Sequence, residues 1–159
     1  MFLQYFKKKE NIDQELALKI YSNMISAVNS IIKKNKKELK NEFNTSFELI
    51  SIILFSIFFY SKKNDNQKKI NQILMNLFIS DIDKSLRFSG IGDMKIGKYV
   101  KLYVKKYYFR VKKLEKIFNV DKCDDFKLYI TELSIFHTKD NEKTPLILFD
   151  NLTLLIDRL

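Results

Sequence analysis

Glycine and proline, the residues that most readily interrupt a helix, are scarce in this chain. Its 159 residues include one proline and three glycines, and all three glycines fall within positions 90–97. Because so few residues can break a helix, the sequence favours long helices. The glycine cluster is the one place where a sharp change of backbone direction is expected.

Apolar residues recur at helical spacing along most of the chain, and no stretch alternates with the period of two that is typical of a strand. Asn11 and Thr45 each begin a capping-box pattern, and Pro145 suits the first turn of a last helix. The lysine-rich stretch 34–44 is predicted to be a solvated connection. The predicted helices span residues 11–34, 46–61, 66–89, 93–118, 123–136 and 145–159. We therefore predict an all-α fold, a single-domain bundle of about six helices over residues 1–159.

The most apolar segment, FELISIILFSIFFY at residues 47–60, raises the question of a membrane span. It is shorter than the roughly 20 residues that cross a bilayer, and it contains Glu48. Apolar residues surround the segment on every side, which indicates a central core helix covered by its neighbours. A membrane-inserted segment is the alternative.

The spacing of two glycines also matches part of a phosphate-binding loop. Gly92 to Lys98 reads G-x-x-x-x-G-K, but Tyr99 stands where such a loop places the small hydroxyl residue that binds Mg²⁺. The preceding segment has helical periodicity, whereas a phosphate-binding loop follows a buried strand. The pattern therefore favours a bend between two helices.

A bend at this place predicts a role for both glycines and for the aspartate of the sequence Gly-Ile-Gly-Asp. Gly90 is predicted to end the third helix in a left-handed conformation, and Gly92 lets the chain turn. Asp93 is predicted to cap the fourth helix by accepting backbone N–H groups. Gly97 lies inside that helix, where we expect another helix to cross closely.

Two charged residues fall on the apolar faces of their predicted helices. Asp81 lies at the middle of the apolar face of the third helix, and Arg110 lies on that of the fourth. Because an unpaired buried charge is costly, both should have partners. We expect Asp81 to be bound by the Tyr103 hydroxyl or by backbone amides, and Arg110 by a carboxylate other than Asp81. Asp83 and Arg87, four residues apart, are predicted to be an exposed ion pair.

The formal net charge of +10 comes almost entirely from lysine. A basic surface for an acidic partner and the composition bias of an AT-rich genome both explain it. On the fourth helix, the lysines cluster within about 60° of the helical wheel beside two aromatic residues. A face made only for solubility usually interleaves both signs of charge, so we predict a partner-docking surface here. Its residues are Lys98, Lys101, Lys105, Tyr108, Phe109, Lys112 and Lys116.

The stretch DIDKSLRFSGIGDMKIGKYVK, residues 81–101, resembles the signature of the ubiquinol–cytochrome c chaperone family. The residues that carry the resemblance include Asp81, Asp83, Arg87, Gly90, Gly92, Asp93, Lys98 and, further along, Arg110. Phe88 and Phe109 stand where the family has glutamate and glycine. The resemblance implies an all-helical assembly chaperone that binds newly made cytochrome b and supports biogenesis of respiratory complex III, the ubiquinol–cytochrome c reductase complex.

The functional expectations follow from this resemblance and from the charge. We predict a non-enzymatic chaperone without a cofactor, located in the cytoplasm and peripheral at the inner face of the membrane. The ribosome and an anionic membrane surface are the expected docking partners. The alternative is a basic ribosome- or RNA-binding module with a different client. Cys123 and His137 are the single cysteine and the single histidine, and they form no catalytic or metal-binding pattern.

Overall fold

The computed structural model describes residues 2–40, 42–62, 67–120, 123–137 and 150. These residues form an all-helical bundle, as predicted. Its elements are α1 (Phe2–Lys34), α2 (Phe43–Ser61), α3 (Lys68–Phe88), α4 (Asp93–Val120) and α5 (Cys123–Thr131). The predicted sixth helix, residues 145–159, lies outside the described residues except for Asp150.

Helix α2 is the centre of the bundle and contacts α1, α3 and α4. It is long and apolar enough to cross a membrane by length and composition, yet 61% of its most apolar stretch is buried inside the protein. Phe47, Leu49 and Ile53 are at most 1% exposed. The prediction of a central core helix is therefore confirmed, and it explains why this helix is apolar on every side.

Two helices begin earlier than the capping patterns predicted. Helix α1 starts at Phe2, so Asn11 lies in its interior, where an asparagine costs only a few tenths of a kcal/mol. Helix α2 starts at Phe43, and its capping residue Glu42 makes no side-chain cap. Thr45 is fully buried, with its hydroxyl unpaired among the described residues. Both capping boxes were wrong, because no glycine or proline separates them from preceding residues that also tolerate a helix.

The bend between α3 and α4 has the geometry of a Schellman motif. Gly90 has φ +88°, and its N–H bonds the Arg87 carbonyl at 2.9 Å. The Ile91 N–H reaches back to the Leu86 carbonyl at 3.2 Å. The left-handed role of Gly90 is thus confirmed. The capping role predicted for Asp93 is wrong: Asp93 is the first residue of α4, and the Gly92 carbonyl accepts the first bonds of the helix.

Gly97 has no close neighbour in the structure. A methyl group added there would meet no atom within 4 Å beyond its own helix backbone and adjacent residues. The expected close crossing of another helix is therefore wrong. This glycine faces open space on the outside of α4.

The connection after α1 is more buried than its lysines suggested. Leu39 is 1% exposed and forms an antiparallel bridge with Phe136, after α5. The flanking bonds run from the Lys40 N–H to the Ile135 carbonyl and from the His137 N–H to the Glu38 carbonyl. This pairing explains why α5 ends at Thr131 and does not continue to Phe136 as predicted.

The candidate docking face of α4 and the contacts that orient it

An ion pair between half-buried Arg110 and buried Glu48 joins α4 to the central helix. Arg110 donates hydrogen bonds to both carboxylate oxygens of Glu48, at 2.9 and 2.8 Å. Lys106 adds a third contact to Glu48 at 2.9 Å, and the Glu48 side chain is only 4% exposed. The hydrogen bonds that Arg110 donates to Glu48 raise the pKa of Arg110 further above its usual range. The prediction that Arg110 pairs with a carboxylate other than Asp81 is confirmed.

Asp81 has a different partner from the one predicted. The Tyr21 hydroxyl on α1 donates a hydrogen bond to Asp81 on α3 at 3.0 Å. Tyr103 instead bonds the Asn44 side chain. Burial, reinforced by the Asp81 charge, raises the pKa of Tyr21 well above that of a free phenol. Tyr21 was missed because the sequence does not show which residue of α1 lies level with Asp81.

The exposed pair predicted at the bend exists and has a third member. Arg87 bonds Asp83 at 2.6 Å, and it also bonds Asp93 across the bend. These hydrogen bonds, that of Asp83 first, raise the pKa of Arg87. Arg87 therefore links the end of α3 to the start of α4. Asp83, Arg87 and Asp93, together with Gly90, fix the geometry of the bend.

The predicted docking residues share the outer face of α4. All of them are exposed, including Tyr108 and Phe109 at 54% and 56%. The opposite face is buried against the bundle through Ile96, Tyr107 and Leu114. The face consists of Lys98, Lys101, Lys105, Tyr108, Phe109, Lys112 and Lys116, which we call the basic face.

The basic face carries positive charge that no nearby acid neutralises. None of its lysines forms an ion pair within the described parts of the chain. Glu115, the one carboxylate of α4 after Asp93, is bound to Lys62 at 3.3 Å. The structure thus brings the predicted residues together on one surface, but it does not test whether a partner binds there.

Two exposed apolar residues next to the basic face were missed by the sequence reasoning. Met94 is fully exposed, and Leu102 is 57% exposed. Their helical-wheel positions fall within about 80° of Lys112, so the sequence alone could have indicated that they lie beside the basic face. Leu102, Lys105 and Phe109 line a shallow groove together with Tyr103 and Lys106. Phe88, at the end of α3, is also almost fully exposed.

Metal-ligating side chains do not gather anywhere in the described ranges: no group of three or more His, Cys, Asp or Glu could hold an ion there. His137 is exposed, and the side chain of Cys123 lies outside the description.

The fold places the chain in the class of all-helical bundles built around a buried apolar helix. The family model described as ubiquinol-cytochrome C chaperone matches residues 35–130, which include α2, α3, the bend and α4. The chain therefore belongs to the ubiquinol–cytochrome c chaperone family, as its sequence signature predicted.

A solved structure shares the same fold over nearly the whole chain. The crystal structure of the Cbp3 homolog from Brucella abortus superposes with a TM-score of 0.81. The match covers 99% of this chain and 87% of the other, at 19% sequence identity. At that identity the likeness speaks for the fold alone. No curated protein matches the sequence significantly.

Proposed function

We propose that this protein is a non-enzymatic assembly chaperone that binds newly made cytochrome b and supports biogenesis of the ubiquinol–cytochrome c reductase complex. The observation that carries the proposal is the family match over residues 35–130. Two other features support it. The core is closed around α2, and several large apolar side chains remain on the surface.

A chaperone for a membrane cytochrome must shield apolar segments that are not yet surrounded by lipid. Such a protein needs apolar groups on its surface, because contact with them replaces contact of the client with water. Phe88, at the end of α3 next to the bend, is exposed in this way. It makes this end of the bundle a candidate region for client contact.

The proposal includes a location in the cytoplasm, peripheral at the inner face of the membrane where cytochrome b is inserted. Docking there through the basic face would bring the chaperone to its client. Two negatively charged surfaces exist at that place, ribosomal RNA near the tunnel exit and anionic lipid. The unpaired lysines of α4 also favour the second candidate function, a ribosome- or RNA-binding module with another client.

Capture of the client separates these two functions. The full-length tagged protein is purified from detergent-solubilised membranes, and the bound proteins are identified by mass spectrometry. The proposal predicts enrichment of cytochrome b over other membrane cytochromes. Enrichment of ribosomal proteins without cytochrome b would favour the second candidate.

A further inference from the structure

Lysines and exposed apolar residues alternate along the outer side of α4. Met94 is 102% exposed relative to a free residue, Leu102 is 57% exposed and Phe109 is 56% exposed. Large apolar side chains this open to water are usual when they occur singly. Here they occur on one side of one helix, beside lysines that have no partner among the described residues.

The geometry of α4 suits contact with a flat surface. The helix has 28 residues, which corresponds to a length of about 42 Å. The lysines of the basic face fall within about 60° of its wheel, and Met94, Leu102 and Phe109 lie within or next to that sector. The side of α4 that faces away from the bundle is therefore a long surface that is both basic and apolar.

The residue types favour lipid over nucleic acid. Proteins that bind RNA often use arginine, because its planar guanidinium stacks on bases as well as binding phosphate, whereas lysine contributes only a point charge. The only arginine of α4 is Arg110, and it is bound to Glu48 on the inner side. Aliphatic side chains such as Met94 and Leu102 do not stack on RNA bases as aromatic rings and guanidinium groups do. In a bilayer interface they enter the acyl region, while lysine stems extend their amines to the headgroups.

We propose that the outer side of α4 is a membrane-docking surface that binds anionic lipid. Lys98, Lys101, Lys105, Lys112 and Lys116 contact the headgroup phosphates, and Met94, Leu102 and Phe109 insert between the headgroups to reach the edge of the acyl region. The inference rests on the proposed function for the location of the protein at the membrane. It specifies that α4 binds anionic lipid there and not ribosomal RNA. Helix α4 lies parallel to the membrane, with the bundle held on the cytoplasmic side.

Vesicle flotation of the full-length protein tests the charge component. The vesicles contain phosphatidylcholine alone or with phosphatidylglycerol, and we expect binding only to the anionic ones. Lys101→Glu/Lys105→Glu/Lys112→Glu should lower the partition coefficient by at least about a hundredfold, since each lysine near an anionic surface contributes roughly a factor of five. The matched control is Lys33→Glu/Lys36→Glu/Lys37→Glu, the same change of charge at exposed lysines near the end of α1. An equal loss in both triple variants would overturn the proposal, because total charge alone would then explain binding.

A second pair of variants tests insertion at constant charge. Met94→Gln/Leu102→Gln should weaken binding to anionic vesicles about tenfold or more, because the apolar side chains no longer enter the bilayer. Leu18→Gln/Leu128→Gln changes two leucines on other helices that are about as exposed as Leu102, and it should bind like the unmodified protein. Unchanged binding of the Met94/Leu102 variant contradicts insertion. Circular dichroism of every variant confirms that the bundle is folded.

Sedimentation with purified ribosomes separates this inference from the proposed function. Binding to ribosomes that depends on the same three lysines, with no flotation, would replace the lipid proposal by RNA docking. That result leaves capture of cytochrome b intact. Flotation without capture of cytochrome b would contradict the proposed function and leave the membrane surface in place.

Discussion

Arg110 on α4 and Glu48 on α2 form a two-point ion pair in which both carboxylate oxygens accept a hydrogen bond, at 2.9 and 2.8 Å. Because Glu48 is the one charged residue of α2, this pair is a specific polar contact between α4 and the centre of the bundle. It fixes the rotation of α4 about its own axis. As a result, the basic face of α4 is turned outward.

Loss of this pair should destabilise the fold. Arg110→Met keeps the length of the side chain but leaves Glu48 with Lys106 alone, and we expect the free energy of unfolding to fall by about 2 kcal/mol. Urea unfolding followed by circular dichroism measures the change. Arg87→Met serves as the comparison, because the Arg87 contacts are exposed and should matter much less. If the two variants are equally stable, the buried pair does not hold α4 in place.

Tyr21 and Tyr107, two of the buried tyrosines, should respond differently to removal of the hydroxyl. Tyr21→Phe removes the donor to Asp81 and should lower the unfolding free energy by about 1–2 kcal/mol. The Tyr107 hydroxyl is buried without a hydrogen-bond partner among the described residues. Tyr107→Phe should therefore be neutral or stabilising. Equal losses in both variants would mean that the Tyr107 hydroxyl has a partner.

Alkaline pH should destabilise the bundle through the same tyrosines. Burial raises the pKa of Tyr107 well above its usual value near 10. Above pH 10 the phenol therefore ionises in the unfolded state but stays protonated in the folded state. This contribution to stability is present below pH 10 and is lost as the pH rises above it. Relative to the unmodified protein, Tyr107→Phe should gain about 1.4 kcal/mol between pH 8 and pH 11. Paired urea titrations at both pH values measure the gain, and a constant difference contradicts it.

Two glycines of the same segment should differ in sign when replaced by alanine. Gly90→Ala places a side chain at φ +88° and should cost about 1–2 kcal/mol, although space is available. Gly97→Ala adds a methyl group in open space within α4 and should stabilise the protein by about 1 kcal/mol. Thermal unfolding of both variants is the test. A destabilised Gly97→Ala protein would indicate a close neighbour that the described residues do not include.

Two local features near the bend were predicted well from the sequence. The left-handed Gly90 and the Asp83–Arg87 pair depend only on neighbours within a few residues, so their positions follow from helical spacing. The central place of α2 followed from an apolar surface on every side. The outward direction of the basic face followed from the same periodicity.

Features that depend on packing between distant segments could not be predicted in this way. The pairing of Tyr21 with Asp81 joins residues 60 positions apart, and that of Glu48 with Arg110 joins residues 62 apart. Leu39 is buried where it forms a bridge with Phe136, a residue far along the chain. The start of α1 was missed because residues 2–10 are also compatible with a helix. No helix-breaking residue among them marks a boundary before Asn11.

The central claim is that this protein supports the biogenesis of cytochrome b. Pulse labelling of membrane proteins in a strain that lacks the protein tests the claim most directly, with a second membrane cytochrome as the internal control. We predict that newly made cytochrome b is lost during the chase and restored by the unmodified gene, while the control cytochrome persists. Unchanged amounts and lifetime of cytochrome b in the deletion strain would contradict the account.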